Sequence, residues 1–112
     1  MAGPMVVKSN IWLEMDGQVV LSRWRVRLLL AVQETGSITQ AAKIMRIPYR
    51  RAWEKIHQSE ERLGLKLVDT QVGGAGGGGA TLTPACLDLI DRYTALTKGV
   101  ATSLQQRFEE VF

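Results

Sequence analysis

Tyr49, Arg50, Arg51, Ala52 and Trp53 stand together near the middle of the chain. A phenol hydroxyl, guanidinium groups and an indole within such a short stretch make a surface suited to hydrogen bonding and stacking rather than to catalysis. A guanidinium is a rigid fork of N–H donors that matches the O6 and N7 acceptors of guanine, which makes Arg50 a candidate for base recognition. Arg51 and Lys55, four residues apart on an adjacent flank, suit phosphates, while Glu54 and His57 share the outward face with Tyr49, Arg50 and Trp53.

Those side chains need a helix to carry them. The 3.6-residue period predicts one over residues 48–63, with Pro48 in its first turn, Ala52, Ile56, Ser59 and Leu63 facing inward, and Gly64 as the stop. Tyr49 and Trp53 admit a second reading as partly buried core aromatics. Ahead of this helix, Ser37 is a candidate cap for a short one whose buried face is Ile38, Ala41, Ala42 and Met45. Its small alanines permit a close approach, and the connection through residues 45–47 is short, so the pair reads as a helix-turn-helix. Thr39 and Gln40, near the start of that short helix, are placed for a phosphate.

The flanking segments support the pair. Residues 11–14 and 19–21 read as strands around Asp16-Gly17, a strong hairpin signal. Ser22 then caps a first helix with Trp24, Leu28, Leu29, Ala31 and Val32 on its apolar face and Gly36 as its left-handed stop. Residues 65–69 and 80–82 are strand candidates around a glycine-rich tip containing Gly73, Gly74, Gly76, Gly77, Gly78 and Gly79, which together form a wing. After Thr83 and Pro84, the residues Leu89, Tyr93, Leu96, Val100, Leu104, Phe108 and Val111 recur every three or four positions as a long apolar stripe. Gly99 either bends this last helix or divides it.

Other chemistries are poorly supplied. Cys86 is the single cysteine and His57 the single histidine, so neither a disulfide, nor a zinc cluster, nor a nucleophile–base set is expected. The glycine run lacks the Gly-Lys-Ser/Thr exit of a phosphate-binding loop, since Gly79 leads into Ala80-Thr81-Leu82. No apolar run approaches the roughly 20 residues of a membrane span, and the first ten residues lack the pattern of a secretory signal, so a cytoplasmic protein without cofactor, metal or membrane partner is expected. Net charge is +3, but unevenly spread: residues 1–66 hold eleven Lys/Arg against six Asp/Glu, and residues 67–112 hold three against five. The basic part is the part that contains the helix-turn-helix.

Glu34-Thr35-Gly36-Ser37-Ile38 with Ala41-Ala42-Lys43, the Tyr49-Arg50-Arg51-Ala52-Trp53 block, the glycines before Ala80 and Leu82-Thr83-Pro84-Ala85 resemble the N-terminal domain of ModE-type molybdate-responsive regulators. The first of these segments also resembles the broader LysR-type DNA-binding domain. Three departures stand out: Pro48 replaces a usual serine, the wing around Gln71, Val72 and Ala75 lacks a usual basic residue, and Cys86 replaces a common glycine. The resemblance implies a dimer whose third helix enters the DNA major groove and whose last helix pairs with its twin. Family members that sense molybdate directly carry a further oxyanion-binding domain; this chain ends at Phe112, so direct sensing is not expected and a separate effector-sensing protein is a candidate second partner.

The expected fold is mainly α with a small β wing: a winged helix-turn-helix with a long C-terminal dimerisation helix. It is read as one domain over residues 1–112, with a hairpin at 11–21, helix-turn-helix and wing at 22–82 and dimerisation helix at 83–112. The expected function is sequence-specific binding of double-stranded DNA, as a homodimer, to regulate transcription, with no enzymatic activity. The competing reading is a protein-interaction scaffold on the same fold with little DNA affinity.

Overall fold

The computed structural model describes residues 2–71 and 78–112. Strands β1 (Trp12–Met15) and β2 (Gln18–Ser22) form an antiparallel hairpin closed by Asp16 and Gly17. Both turn residues have positive φ, 51° and 75°. That geometry matches the right-handed twist of the flanking strands, which is why an Asp-Gly pair sits there.

Local caps then fix the helices. The Ser22 hydroxyl accepts from the Arg25 N–H at 3.1 Å to open α1 (Arg23–Thr35), which closes on left-handed Gly36. The Ser37 hydroxyl accepts from the Gln40 N–H to open α2 (Ile38–Met45). Arg46, at φ 57°, returns its N–H to the carbonyls of Ala42 and Lys43, reversing the chain into α3 (Tyr49–Leu63), which closes on Gly64. Pro48 stands one residue earlier than expected, as the N-cap with extended backbone rather than inside the first turn. The position suits it, because it has no N–H to satisfy and its carbonyl accepts from Arg51 and Ala52 at 3.0 and 3.3 Å.

The core forms where these elements meet. Leu21, Leu28, Val32, Ala41, Ala52, Leu67 and Cys86 are all but inaccessible to solvent. Ala41 and Ala52 bring α2 and α3 together as their small size predicts. The wing strands are β3 (Val68–Gln71) and β4 (Gly79–Leu82), paired antiparallel with Val68 opposite Leu82. The expected strand over 65–69 is corrected to Val68–Gln71. Leu67 is held differently: its N–H and that of Val68 donate to the Glu60 carboxylate at 2.8 and 3.1 Å, and its carbonyl accepts from the Thr83 N–H at 2.9 Å. The backbone of β4 is tied to the first helix by the Ala80 N–H, which donates to the Gly36 carbonyl at 2.8 Å.

Thr83 caps α4 (Pro84–Val111), its hydroxyl accepting from the Cys86 N–H at 3.1 Å. The helix runs unbroken through Gly99 for 28 residues, or about 42 Å at about 1.5 Å per residue. Its apolar stripe divides in two. Leu89 packs on the core, and Tyr93 is buried there with its hydroxyl donating to the Ile11 carbonyl at 2.7 Å. Tyr93 therefore belongs to the head, a correction to its expected place among the partner-facing residues: the hydroxyl finds a backbone acceptor within its own chain. Beyond it, Leu96 and Val100 are 46% and 37% exposed, Leu104 and Phe108 half-buried, and Val111 exposed. Among the described residues no helix is long and apolar enough to cross a membrane.

Candidate nucleic-acid interface

One face of α3 carries most of the expected site. Tyr49 is 50% and Trp53 43% exposed, and Arg50, Arg51 and Glu54 are exposed as well. The reading of Tyr49 and Trp53 as core aromatics is thereby set aside. Lys55 is half-buried on the flank, where its backbone carbonyl faces α1. The Arg50 Nε donates to Glu54 Oε1 at 3.1 Å, one helical turn on, whereas Arg51 makes no ion pair among the described residues.

Trp53 is held in a defined orientation. Its indole stacks on the His57 ring with centroids 3.7 Å apart and planes 21° off parallel. His57 Nδ1 lies 2.8 Å from the Trp53 carbonyl; a carbonyl can only accept, so Nδ1 carries the hydrogen and Nε2 points the other way. Nε2 is 3.8 Å from Glu60 Oε1, and the other oxygen of that carboxylate holds the start of β3. A chain of contacts thus runs from the exposed aromatic of α3 to the root of the wing.

Beside this face, Ser37, Ile38, Thr39, Tyr49, Thr70, Gln71, Gly78, Gly79 and Ala80 line one groove, where the starts of α2 and α3 meet the wing strands. Thr39 is exposed in this lining, and Gln40, the next residue of α2, is exposed as well. The Gln40 N–H is already taken by the Ser37 hydroxyl, so a ligand in the groove would meet the Thr39 side chain and the first-turn N–H groups that no helix satisfies for itself. Of the expected wing residues, Gly78 and Gly79 lie at the base of β4, and Gly73, Gly74, Gly76 and Gly77 lie outside the described residues. A Cβ on Gly78 would come within 2.6 Å of the Gln71 carbonyl oxygen, so glycine is required for the strands to close. Of the residues expected on the dimerisation surface, Leu96, Val100, Leu104 and Phe108 lie apart from this site, along the outer half of α4, while Leu89 packs against the core of its own chain.

What positions α3 was not foreseen from the sequence. Arg25 is buried, and its guanidinium donates to the Lys55 carbonyl at 2.8 Å, the Ser59 hydroxyl at 2.9 Å and Gln58 Oε1 at 3.3 Å. Arg62 of α3 donates to the Val19 carbonyl of the hairpin at 2.8 Å. A signal for Arg25 existed, since it precedes Leu28, Leu29 and Val32 at core-facing spacing on α1. Among the described residues no group of three or more His, Cys, Asp or Glu side chains is placed to hold a metal.

Residues 24–87, more than half of the chain, match the bacterial regulatory helix-turn-helix proteins of the lysR family. The chain belongs to that family. The chain is also similar to the molybdenum-pterin-binding protein MopB of Rhodobacter capsulatus, 42% identical over 71% of this chain and 30% of that protein. It is 41% identical to the transcriptional regulator ModE of Yersinia pestis, over 76% of this chain and 31% of the relative. It is 34% identical to the molybdenum transport protein ModE of Azotobacter vinelandii, over 92% of this chain and 39% of the relative. The chain spans about a third of the length of these relatives.

Solved structures give the same fold. The protein in the CbnR_DBD–DNA complex superposes with a TM-score of 0.58 at 18% identity, covering 79% of this chain and 95% of that one. The protein in the BenM_DBD/catB site 1 DNA complex does so with a TM-score of 0.54 at 24% identity, covering 76% and 89%. The mainly α winged helix-turn-helix with a small wing and a long last helix is therefore the fold of this lysR-family chain.

Proposed function

We propose that this lysR-family chain is a DNA-binding transcriptional regulator of the ModE type, acting as a homodimer on double-stranded DNA and linked to molybdenum metabolism. The observation that carries the reading is the exposed face of α3: Tyr49, Arg50, Arg51 and Trp53 project from a helix held from behind by a buried arginine. An α-helix, about 10 to 12 Å across with its side chains, fits the major groove, where its first turns meet the base edges. Arg50 is the candidate guanine reader, and Arg51, Lys55, Thr39 and Gln40 are the candidate phosphate contacts. The outer half of α4, with Leu96, Val100, Leu104 and Phe108, is the surface a second copy would cover, which makes the DNA site an inverted repeat.

The test is a titration of duplex DNA at a series of salt concentrations. The logarithm of the binding constant should fall against the logarithm of salt concentration with a slope of about −0.9 per phosphate neutralised. No binding to any duplex at low salt would remove the reading and leave the scaffold interpretation in its place.

A further inference from the structure

We propose that Glu54 is a positioning residue that determines base specificity: it grips Arg50 by one edge so that the guanidinium presents its other edge to guanine. This deepens the reading of α3 as the groove-entering helix and rests on it. The carrying observation is the contact between Arg50 Nε and Glu54 Oε1, 3.1 Å long. A guanidinium is planar, and its donors point in fixed directions. With Nε occupied by the carboxylate, the two terminal nitrogens remain at the far end, paired in the spacing that O6 and N7 of guanine accept.

The neighbouring arginine shows what the contact adds. Arg51 is exposed and makes no ion pair among the described residues, so its long side chain is free to follow whichever phosphate is nearest. Arg50 shares its backbone environment and its charge but has a carboxylate one turn away on the same face. In water so exposed a pair is weak. Once the helix sits in a groove and water is displaced, the same contact strengthens and the side chain loses the freedom to turn towards a phosphate.

Glu54 also acts against indiscriminate binding. It places a negative charge on the face that approaches the phosphate backbone, which lowers affinity for every duplex alike. The favourable contact with guanine is made only at the right site, so the carboxylate trades general affinity for discrimination.

The experiment selects sites from a pool of duplexes with randomised half-sites, using the full chain as wild type, Arg50→Ala, Glu54→Ala and the double variant. Wild type is expected to enrich guanine at one position of each half-site, and Arg50→Ala to lose that enrichment. Glu54→Ala should lower the guanine preference at the same position by roughly fivefold while binding random duplex more tightly. In the Arg50→Ala background, Glu54→Ala should change no base preference further. Glu54 is exposed, and an unchanged circular dichroism spectrum checks that the variant folds. If Arg50→Ala abolishes the guanine preference and Glu54→Ala leaves it intact, the proposal falls and the reading of α3 stands. If Arg50→Ala selects the wild-type site, the proposal falls while DNA binding remains. A wild type that enriches no site overturns both.

Discussion

The guanidinium of Arg25, near the start of α1, donates to the hydroxyl of Ser59 in α3 at 2.9 Å across 34 residues of sequence. With the Lys55 carbonyl and Gln58 Oε1 it completes a fan of bonds onto the rear of α3. Burial, and after it the charge of Arg62, pull the Arg25 pKa down, but a guanidinium stays protonated in proteins and its donors must be matched. The helix that displays Tyr49 to Trp53 is thus oriented by a charge on its hidden side.

Replacing Arg25 with alanine is expected to cost about 2 kcal/mol or more of folding stability, because it removes charged hydrogen bonds and leaves the Ser59 hydroxyl and Lys55 carbonyl to find new donors. Arg25→Lys should recover only part, since an ammonium cannot span the same fork of acceptors. Urea denaturation measures both; a loss for the alanine variant below about 0.5 kcal/mol would place it with ordinary surface substitutions and remove the anchoring role.

Cys86 gives a pH dependence. Burial, and then the nearby Glu60 charge, push its thiol from an ordinary 9.0 up to about 11. A folded-state pKa raised above the unfolded one means that the unfolded chain loses its proton first. Stability from this group is therefore fully present below pH 9 and is lost as pH rises from about 9 to about 11. Cys86→Ala should flatten the decline in that window, as followed by thermal melts at stepped pH. In the native chain at pH 8 the thiol should also react with a thiol reagent only as fast as the protein opens.

Gly78 tests the wing. Its missing Cβ leaves room for the Gln71 carbonyl, which would otherwise be only 2.6 Å away and belongs to backbone that cannot swing aside. Gly78→Ala is expected to destabilise by about 1 to 3 kcal/mol, with faster amide exchange at Gln71 and Gly79. Unchanged exchange there would mean that the strands close without the glycine.

What the sequence disclosed and what it hid divide along physical lines. The caps at Ser22 and Ser37 and the stops at Gly36 and Gly64 depend on neighbours within a few residues, and each was readable. The outward face of α3 followed from periodicity alone. The inward position of Arg25 was readable from its spacing, but its partners were hidden, because they lie 30 and 34 residues away and no local pattern encodes them. The start of β3 was misplaced because a side chain in α3 competes for the backbone there: the Glu60 carboxylate takes the N–H groups of Leu67 and Val68 where strand pairing begins. Tyr93 fitted the apolar stripe equally well as a head residue or a partner contact, and only its bond to Ile11 separates the two.

Gly99 lies inside α4, and a Cβ there would meet nothing within 4 Å in the isolated chain. Gly99→Ala should therefore stabilise the monomer, by about 0.5 to 1 kcal/mol, through a less flexible unfolded state and better helix propensity. It shares a shallow groove with Leu96, Val100, Ser103 and Leu104. If a second α4 crosses there, the same methyl should weaken association in sedimentation runs. A variant less stable than wild type under monomeric conditions would contradict the open space around this glycine.

Leu96→Glu together with Leu104→Glu should leave the head folded, because Leu96 is largely exposed and Leu104 half-buried in the single chain. The same pair should abolish assembly and greatly weaken binding to an inverted repeat, by removing the simultaneous engagement of two half-sites. Sedimentation and circular dichroism, measured beside DNA titration, separate the effects. A wild type monomeric at tens of micromolar that still binds the repeat tightly would end the dimer proposal.

Gly36 ends α1 with its N–H on the Val32 carbonyl, adopts a left-handed φ of 70°, and lends its own carbonyl to Ala80 at the root of β4. The residue after it caps α2. Mechanically this is a welded corner: a load bending the root of the wing reaches the end of one helix and the start of the next through a single peptide unit, with no intervening joint to absorb it. Docking that presses on the wing strands would thus tilt the helix-turn-helix as one lever. Variants selected for new DNA sites should accumulate on the outer face of α3 and spare this corner, where a change intended for one element is felt by three.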